Sequence, residues 1–354
     1  MRDFGFTGWP FAVVPNRSRA AQLWADRRRT RQQIEDLLET WQLDGGSSIH
    51  LLWADLGAGK THSLWYLEHR CTAEDGLLPI YVLLPSVIGD FRLLYQQIAD
   101  ALDWNLVAAR AVAPKSNVER SAHTALRWVG GTVDPRRSAI AGQWLTGKKT
   151  SAGECQAIGV GGPLVTADDA IKVLSYALAC LTSTGERVVL MIDEYQRVAE
   201  GRRQQLRDIG HGVHAFFNAC PNDLALILSC ATGGIDDYTL VLTPELVSRL
   251  SPSRIELPYM CKEDILTYVC DLFEHYRSGK TLPAFYPLTE EGTKLIGEFL
   301  LRITNNQVGP RLVNKAFGWL LAGLGRGHVE PPYGAEAIRQ WLDAHADASE
   351  LLRE

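Results

Sequence analysis

The sequence contains no run of about eighteen consecutive apolar residues, no C-x-x-C pair, no internal repeat and no low-complexity tract. Its opening, MRDFGFTGWPFAVVPNRSRA, holds no uninterrupted apolar stretch of the kind a secretion signal needs. A helical membrane span, export and a solenoid architecture are therefore not expected, and a membrane partner is not expected either. The seven cysteines are odd in number and scattered, which argues for reduced thiols rather than a disulfide framework or a zinc module, and hence for a cytoplasmic setting. Charge of one sign is also scarce. With 36 Lys and Arg against 41 Asp and Glu, the net charge of -5 exerts no global pull on nucleic acid, so any DNA contact has to be local. Signatures of a nuclease, protease, deaminase or helicase are missing as well.

What is present is an ordinary globular composition, 46% hydrophobic and 22% charged, in a chain of 354 residues, longer than one hydrophobic core usually serves. Apolar positions at helical spacing over 17 to 43 predict one helix leading into the core. Short apolar runs at 49 to 54, 78 to 85, 187 to 194, 224 to 232 and 253 to 258 predict buried strands. Helices are expected between them at 91 to 104, 167 to 182 and 203 to 219. Alternation of this kind specifies a mainly parallel sheet covered on both faces, a three-layer αβα architecture. Residues 105 to 165, rich in Gly, Pro and basic pairs, read as an insertion of short helices. After Cys261 the strands stop and three helices follow, so the division expected is 1–47, an α/β domain over 48–258, a helical lid over 259–328 and a last helix within 329–354.

One stretch carries chemistry. Ala54-Asp-Leu-Gly-Ala-Gly-Lys60-Thr61 differs from the phosphate-loop pattern G-x-x-x-x-G-K-[ST] only in its first residue, and it lies between a predicted strand and a predicted helix. Successive backbone N–H groups of such a loop, with the helix N-terminus behind them, point at a phosphate. Lysine adds a positive charge and the hydroxyl joins a magnesium shell. Leu56, Gly57, Ala58, Gly59, Lys60, Thr61 and His62 are accordingly the candidate nucleotide contacts, with ATP and Mg2+ as the expected ligands. The strand VVLMIDEY ends in two acids. Asp193 is the candidate magnesium-side carboxylate with Thr61, and Glu194 the candidate for polarising the attacking water.

With these parts in place, the chain over roughly 45 to 325 resembles the AAA+ P-loop ATPases of the initiator-like branch, related to replication-origin initiators and to the regulators of Tn7-type transposition. The stretch ELVSRLSPSRIELP is similar to the family's S-R box, which makes Arg249 the implied arginine finger offered to a neighbouring subunit and Arg254 the alternate. VGPRLVNKA resembles the lid motif, making Arg311 the implied sensor arginine. LILSCAT occupies the first sensor strand, where Ser229 or Thr232 stands in place of the usual asparagine. A fragment of the insertion, WLTGKKTSAGECQAIGV, with GERVVLMIDE after it, is similar to ATP-binding proteins of BREX-type phage exclusion, which implies a prokaryotic mobile-element or anti-phage setting.

The resemblance implies an ATP-hydrolysing switch that forms a homo-oligomer, ring or filament, and works with DNA and an effector or recombinase partner. The alternative is an adaptor NTPase that recruits an effector without touching nucleic acid. Three further patterns have two readings each. Arg27, Arg28, Arg29 and Arg31 form a phosphate-neutralising cluster or a solvated helix face. WPFAVVP covers an adenine base or packs in the core, and His211 with His214 is a helix-face pair without a third ligand nearby, so zinc is not expected there.

Overall fold

Five strands, Ser48–Ala54 (β1), Leu77–Leu83 (β2), Arg187–Asp193 (β3), Leu224–Ala231 (β4) and Ile255–Glu256 (β5), form one sheet in the order β2-β3-β4-β1-β5. In this computed structural model the described residues are 4–13, 17–25, 28–43, 46–129, 134–220, 222–231, 238–251, 254–279, 281–327 and 330–344. β2, β3 and β4 run parallel, with Leu83 opposite Asp193 and Ile192 opposite Leu228. Every residue of β3 is buried, which is why its sequence is a continuous apolar run rather than an alternation.

In chain order the helices are Arg17–Ala20 (α1), Arg28–Leu43 (α2), Lys60–Ala73 (α3), Phe91–Ala101 (α4), Trp104–Ala109 (α5), Asn117–Val129 (α6), Pro135–Leu145 (α7) and Ala152–Ile158 (α8). They continue with Ala167–Leu181 (α9), Arg203–Ala219 (α10), Pro244–Val247 (α11), Lys262–Tyr276 (α12), Glu290–Ile303 (α13), Pro310–Leu324 (α14) and Ala335–Ala344 (α15). This is the α/β class with a C-terminal helical part. No helix among the described residues is long and apolar enough to cross a membrane.

The chain divides into two compact units, one drawn from 33–53 and 67–255, the other from 1–32, 54–66 and 256–354. These units are defined by contact, whereas the expected division follows chain order.

In the first of these units the sheet packs with α4, α9 and α10 around Val188, Leu190, Ile192, Leu226 and Leu228. The stretch expected to be an insertion contributes α5 to α8, and Val107, Leu126, Trp144 and Ile158 belong to that same core. Local signals start its helices: Asp134 caps α7 ahead of Pro135, and Ser151 with Glu154 closes a capping box on α8. Hydrogen bonds then hold the stretch in place. Tyr95 donates its hydroxyl to the Leu145 carbonyl, Gln96 donates to Gly147 at 2.7 Å, and Tyr176 donates to Val112 at 2.7 Å.

The other unit is built on Ile265, Val269 and Phe273 of α12, Ile296 and Leu300 of α13, and Val313 and Phe317 of α14. Its N-terminal segment is laid into that core. Phe11, 2% exposed, stacks on Phe317 at 5.4 Å and meets Phe273 edge-on at 5.4 Å, so for Pro10 and Phe11 the core reading of WPFAVVP holds, whereas Val13 is 40% exposed; Val14 and Pro15 lie outside the described residues.

The predicted single helix over 17–43 is corrected to two, α1 and α2. Leu23 to Ala25 leave the helical path, and the Leu23 carbonyl, which a continuous helix would use internally, stands 2.8 Å from His62 Nε2. Only two residues of the predicted strand 253–258 form β5, with Ser253 outside the described residues, and residues 345–354 of the last predicted helix are likewise outside them.

Replacing Tyr95 by Phe keeps the ring but leaves the carbonyl at the end of α7 without its donor, which is expected to cost about 1–2 kcal/mol. A urea titration measures this. An unchanged midpoint would mean that this hydrogen bond contributes nothing to anchoring the stretch.

Candidate functional site

β1 ends at Ala54 and the chain turns at once. The turn is closed on Asp55, whose carbonyl accepts from Ala58 N–H at 3.2 Å and from Lys60 Nζ at 2.9 Å. Lys60, 5% exposed, also donates to the Ala54 carbonyl at 3.1 Å. Its ammonium is thus held inside the loop it would serve. Gly57 at φ +76 and Gly59 at φ +100 lie in the left-handed region, which a side chain resists. Such a turn exposes successive N–H groups to one point, and α3 begins at Lys60 directly behind them, so the residues present fit a bound phosphate chain. Leu56 is 70% exposed, so of this candidate contact only the backbone is suited to a ligand.

The same unit supplies the wall. A pocket beside the loop is lined by Trp24, Ala25, Ala58, Gly59, His62, Ser63, Tyr268 and Pro310. Trp24 meets Tyr66 edge-on at 5.0 Å, and its buried Nε1 has no hydrogen-bond partner among the described residues. The recess is aromatic and partly apolar but small, about 30 Å³, and the orphaned buried donor in it is a place for a ligand acceptor. Trp24 was not legible as a site residue, since it sits in a stretch whose periodicity reads as helix.

α14 begins against the loop. Arg311 N–H stands 3.5 Å from the Gly57 carbonyl, and a Cβ on Gly57 would lie 3.5 Å from Arg311 Cβ. A Cβ on Gly309 would lie 3.0 Å from the Gly57 carbonyl oxygen, so the glycine of the G-P-R motif is there for backbone approach. The exposed Arg311 side chain therefore starts at the loop, where an arginine can read phosphate charge.

In the sheet unit, Asp193 is 0% exposed at the end of β3. A buried carboxylate needs donors, and among those it has are Ser229 Oγ and Glu194 N–H at 2.8 and 2.9 Å from Oδ1, and Tyr81 OH at 3.0 Å from Oδ2. Ser229 comes from β4, which the strand order places between β3 and β1. Its hydroxyl is turned to Asp193. Thr232, the other sensor candidate, lies outside the described residues. Tyr81 went unnoticed in the sequence, yet register could have found it: Tyr81 faces Met191, two residues before Asp193 and on the same side of the sheet.

Glu194 leaves the strand at φ 60 and ψ 34, a left-handed conformation that costs a non-glycine residue about 1 kcal/mol or more. Its carboxylate accepts from Gln196 Nε2 at 2.9 Å and pairs with Arg197 at 3.3 Å. Gln196 in turn accepts from Ala231 N–H at 2.9 Å, and Arg197 donates to the Leu84 carbonyl. The candidate base is held by its own turn, and the turn is tied to the ends of two strands.

The two finger candidates differ. Arg249 is exposed just after α11, and its guanidinium has no partner among the described residues. Arg254 is committed, stacked 4.2 Å over the Tyr238 ring and donating to its hydroxyl at 2.9 Å. The histidines also separate: His211 lies 3.6 Å from Glu245 and His214 contacts Asn218. Arg28, Arg29 and Arg31 are exposed on α2, and Arg27 is outside the described residues.

No protein-family model matches the sequence, and no curated protein matches it significantly. Solved structures do match. The ORC2 protein of Aeropyrum pernix, in ADPNP-ADP complexes, superposes with a TM-score of 0.54 at 12% identity, covering 94% of this chain and 72% of that one. The Aeropyrum pernix ORC1 protein in complex with DNA gives 0.50 at 15% identity, over 98% of this chain and 71% of that one. The fold is shared with these two ORC proteins.

Gly309→Ala sets a methyl against the loop backbone, where no flexible side chain can yield. ATP affinity is expected to fall about tenfold with the fold retained. Calorimetric titration checks this, and parent-like affinity would show that the loop and α14 can separate without loss.

Proposed function

We propose that the chain binds ATP on Leu56 to His62 and hydrolyses it as a switch that assembles with further copies of itself. The observation that carries this reading is the loop: two left-handed glycines, a lysine folded into the turn and a helix that begins directly behind it. Thr61 and Asp193 are the residues that would hold magnesium, which when bound neutralises phosphate charge. Asp193 arrives pre-oriented by Ser229 and Tyr81, so its carboxylate needs no reordering on binding.

Lys60 exchanges two carbonyl partners for the phosphates, a move its flexible stem permits. Glu194 has to leave Gln196 and Arg197 before it can polarise a water, which makes its release a natural control point. Arg311 reads the phosphates from α14. Arg249, exposed and unpaired among the described residues, is the group offered to a neighbouring copy, where it would stabilise charge in trans.

The same proposal has the assembly act on DNA together with an effector or recombinase, in a mobile-element or anti-phage setting. Support comes from the exposed arginines of α2, from the structural neighbour in complex with DNA and from the BREX-type and Tn7-type resemblances. A second reading, the slow adaptor NTPase, is favoured by one observation: the Glu194 carboxylate is engaged in an ion pair. Size measured with and without ATP and duplex DNA at two salt concentrations, followed by phosphate release, separates the two. Salt-sensitive DNA binding supports the switch, and its absence the adaptor.

Glu194→Gln is expected to keep ATP bound and slow phosphate release about a hundredfold, with assembly persisting, whereas Lys60→Ala loses binding. Parent-like turnover in Glu194→Gln removes Glu194 as the base.

Arg249→Ala is expected to leave the ATP affinity of the isolated subunit intact while abolishing assembly and hydrolysis together, and Arg254→Ala to spare both. Mixing Arg249→Ala with Lys60→Ala protein should restore part of the activity, because some mixed interfaces join an intact loop to an intact finger. Normal turnover by monomeric Arg249→Ala would sink the shared-site mechanism.

A further inference from the structure

Asp55 is an odd residue to find at the start of an anion-binding turn. Aspartate side chains readily accept from backbone N–H groups two or three residues ahead. From Asp55 those groups belong to Gly57 and Ala58; Ala58 already donates to the Asp55 carbonyl at 3.2 Å, which leaves the Gly57 N–H, within the stretch that would cradle phosphate, as the one the carboxylate would capture. A carboxylate free to swing would act as an internal phosphate mimic, competing with the nucleotide for that donor.

In the structure the Asp55 carboxylate accepts the hydroxyl of Tyr259. Tyr259 stands between β5 and α12, at the entry to the helical C-terminal part, and is 38% exposed. The next residue, Met260, donates its N–H to the Val308 carbonyl at 2.8 Å, directly ahead of the Gly309-Pro310-Arg311 start of α14 that lies on Gly57. Both ends of the first half of the loop, Asp55 and Gly57, are therefore gripped by lid segments that are hydrogen-bonded to each other. The bond to Asp55, with burial adding to it, pushes the phenol up to about 12, so the hydroxyl remains a donor at neutral pH.

We propose that Tyr259 is a positioning residue that keeps the Asp55 carboxylate off the phosphate-binding Gly57 N–H, so that the readiness of the loop for nucleotide depends on the seating of the lid entry. This rests on the ATP reading of the loop. It adds an autoinhibitory side chain and the residue that restrains it, and it makes lid displacement by a neighbouring copy or a partner a route to nucleotide release.

The test is a double-mutant cycle read by calorimetric ATP titration, with thermal melting to confirm folding. Tyr259→Phe is expected to weaken ATP binding about tenfold, the size of one lost charge-assisted competition. Asp55→Ala is expected to bind ATP at least as well as the parent, and adding Tyr259→Phe to Asp55→Ala should change nothing. Parent-like affinity in Tyr259→Phe overturns the proposal, as does an equal loss in the Asp55→Ala background, which would make Tyr259 a lid support only. A parent protein that binds no ATP removes the nucleotide reading itself, an outcome visible before any variant is made.

Discussion

Between Ala54 and Lys60 the backbone has to reverse, present its N–H groups to one point and still admit the start of α14 against Gly57. Only residues without a Cβ at the critical positions allow all three. Gly57 and Gly59 adopt left-handed conformations, and Gly309 lets the helix start come to 3.0 Å from the Gly57 carbonyl oxygen, measured from where a Cβ would stand. Lys60, Trp24, Tyr268, Arg311 and Tyr259 all stand beside that turn. The alanine that replaces the first glycine of the motif belongs to the end of β1, where it is buried in strand geometry, so the substitution falls outside the part of the loop that needs glycine.

The sheet unit is organised around a different demand, that of a charge with no exposed surface. Desolvating a carboxylate costs several kcal/mol unless donors replace water, roughly the whole stability margin of a domain. The parallel register of β2, β3 and β4 brings Tyr81 and Ser229 to Asp193, and the N–H of Glu194, next in the chain, joins them. Glu194, next in sequence, has the opposite character: it is off the strand, in a strained conformation, and its carboxylate is tied to a turn that is itself tied to Leu84 and Ala231. One acid is fixed and the other restrained, the arrangement expected when one holds a metal and the other acts intermittently.

Aromatic residues in the N-terminal segment show how local chemistry divides labour. Phe4, Phe6 and Phe11 fill the helical core, whereas Trp24, after the break in the helix, turns its indole to the pocket beside the loop. The stretch 105–165 likewise joins the sheet's core. Its Gly and Pro punctuation marks the ends of short helices, whose Trp144 and Ile158 are buried in the same core as the sheet.

Local periodicity and motif spacing were enough for the sequence to determine the α/β class, the strands ending in the loop and in Asp193, and the helical C-terminal part. Those features depend on residues close together in the chain, such as the apolar run of β3 or the left-handed glycines of the turn. What tertiary structure alone decided depends on residues far apart: Tyr81 and Ser229 on Asp193, Tyr259 on Asp55, Gly309 on Gly57, and the stacking that occupies Arg254 while leaving Arg249 exposed. A hydroxyl or a guanidinium carries the same propensity wherever it stands. Its partner is chosen by strand register and helix packing, which no window of the sequence contains.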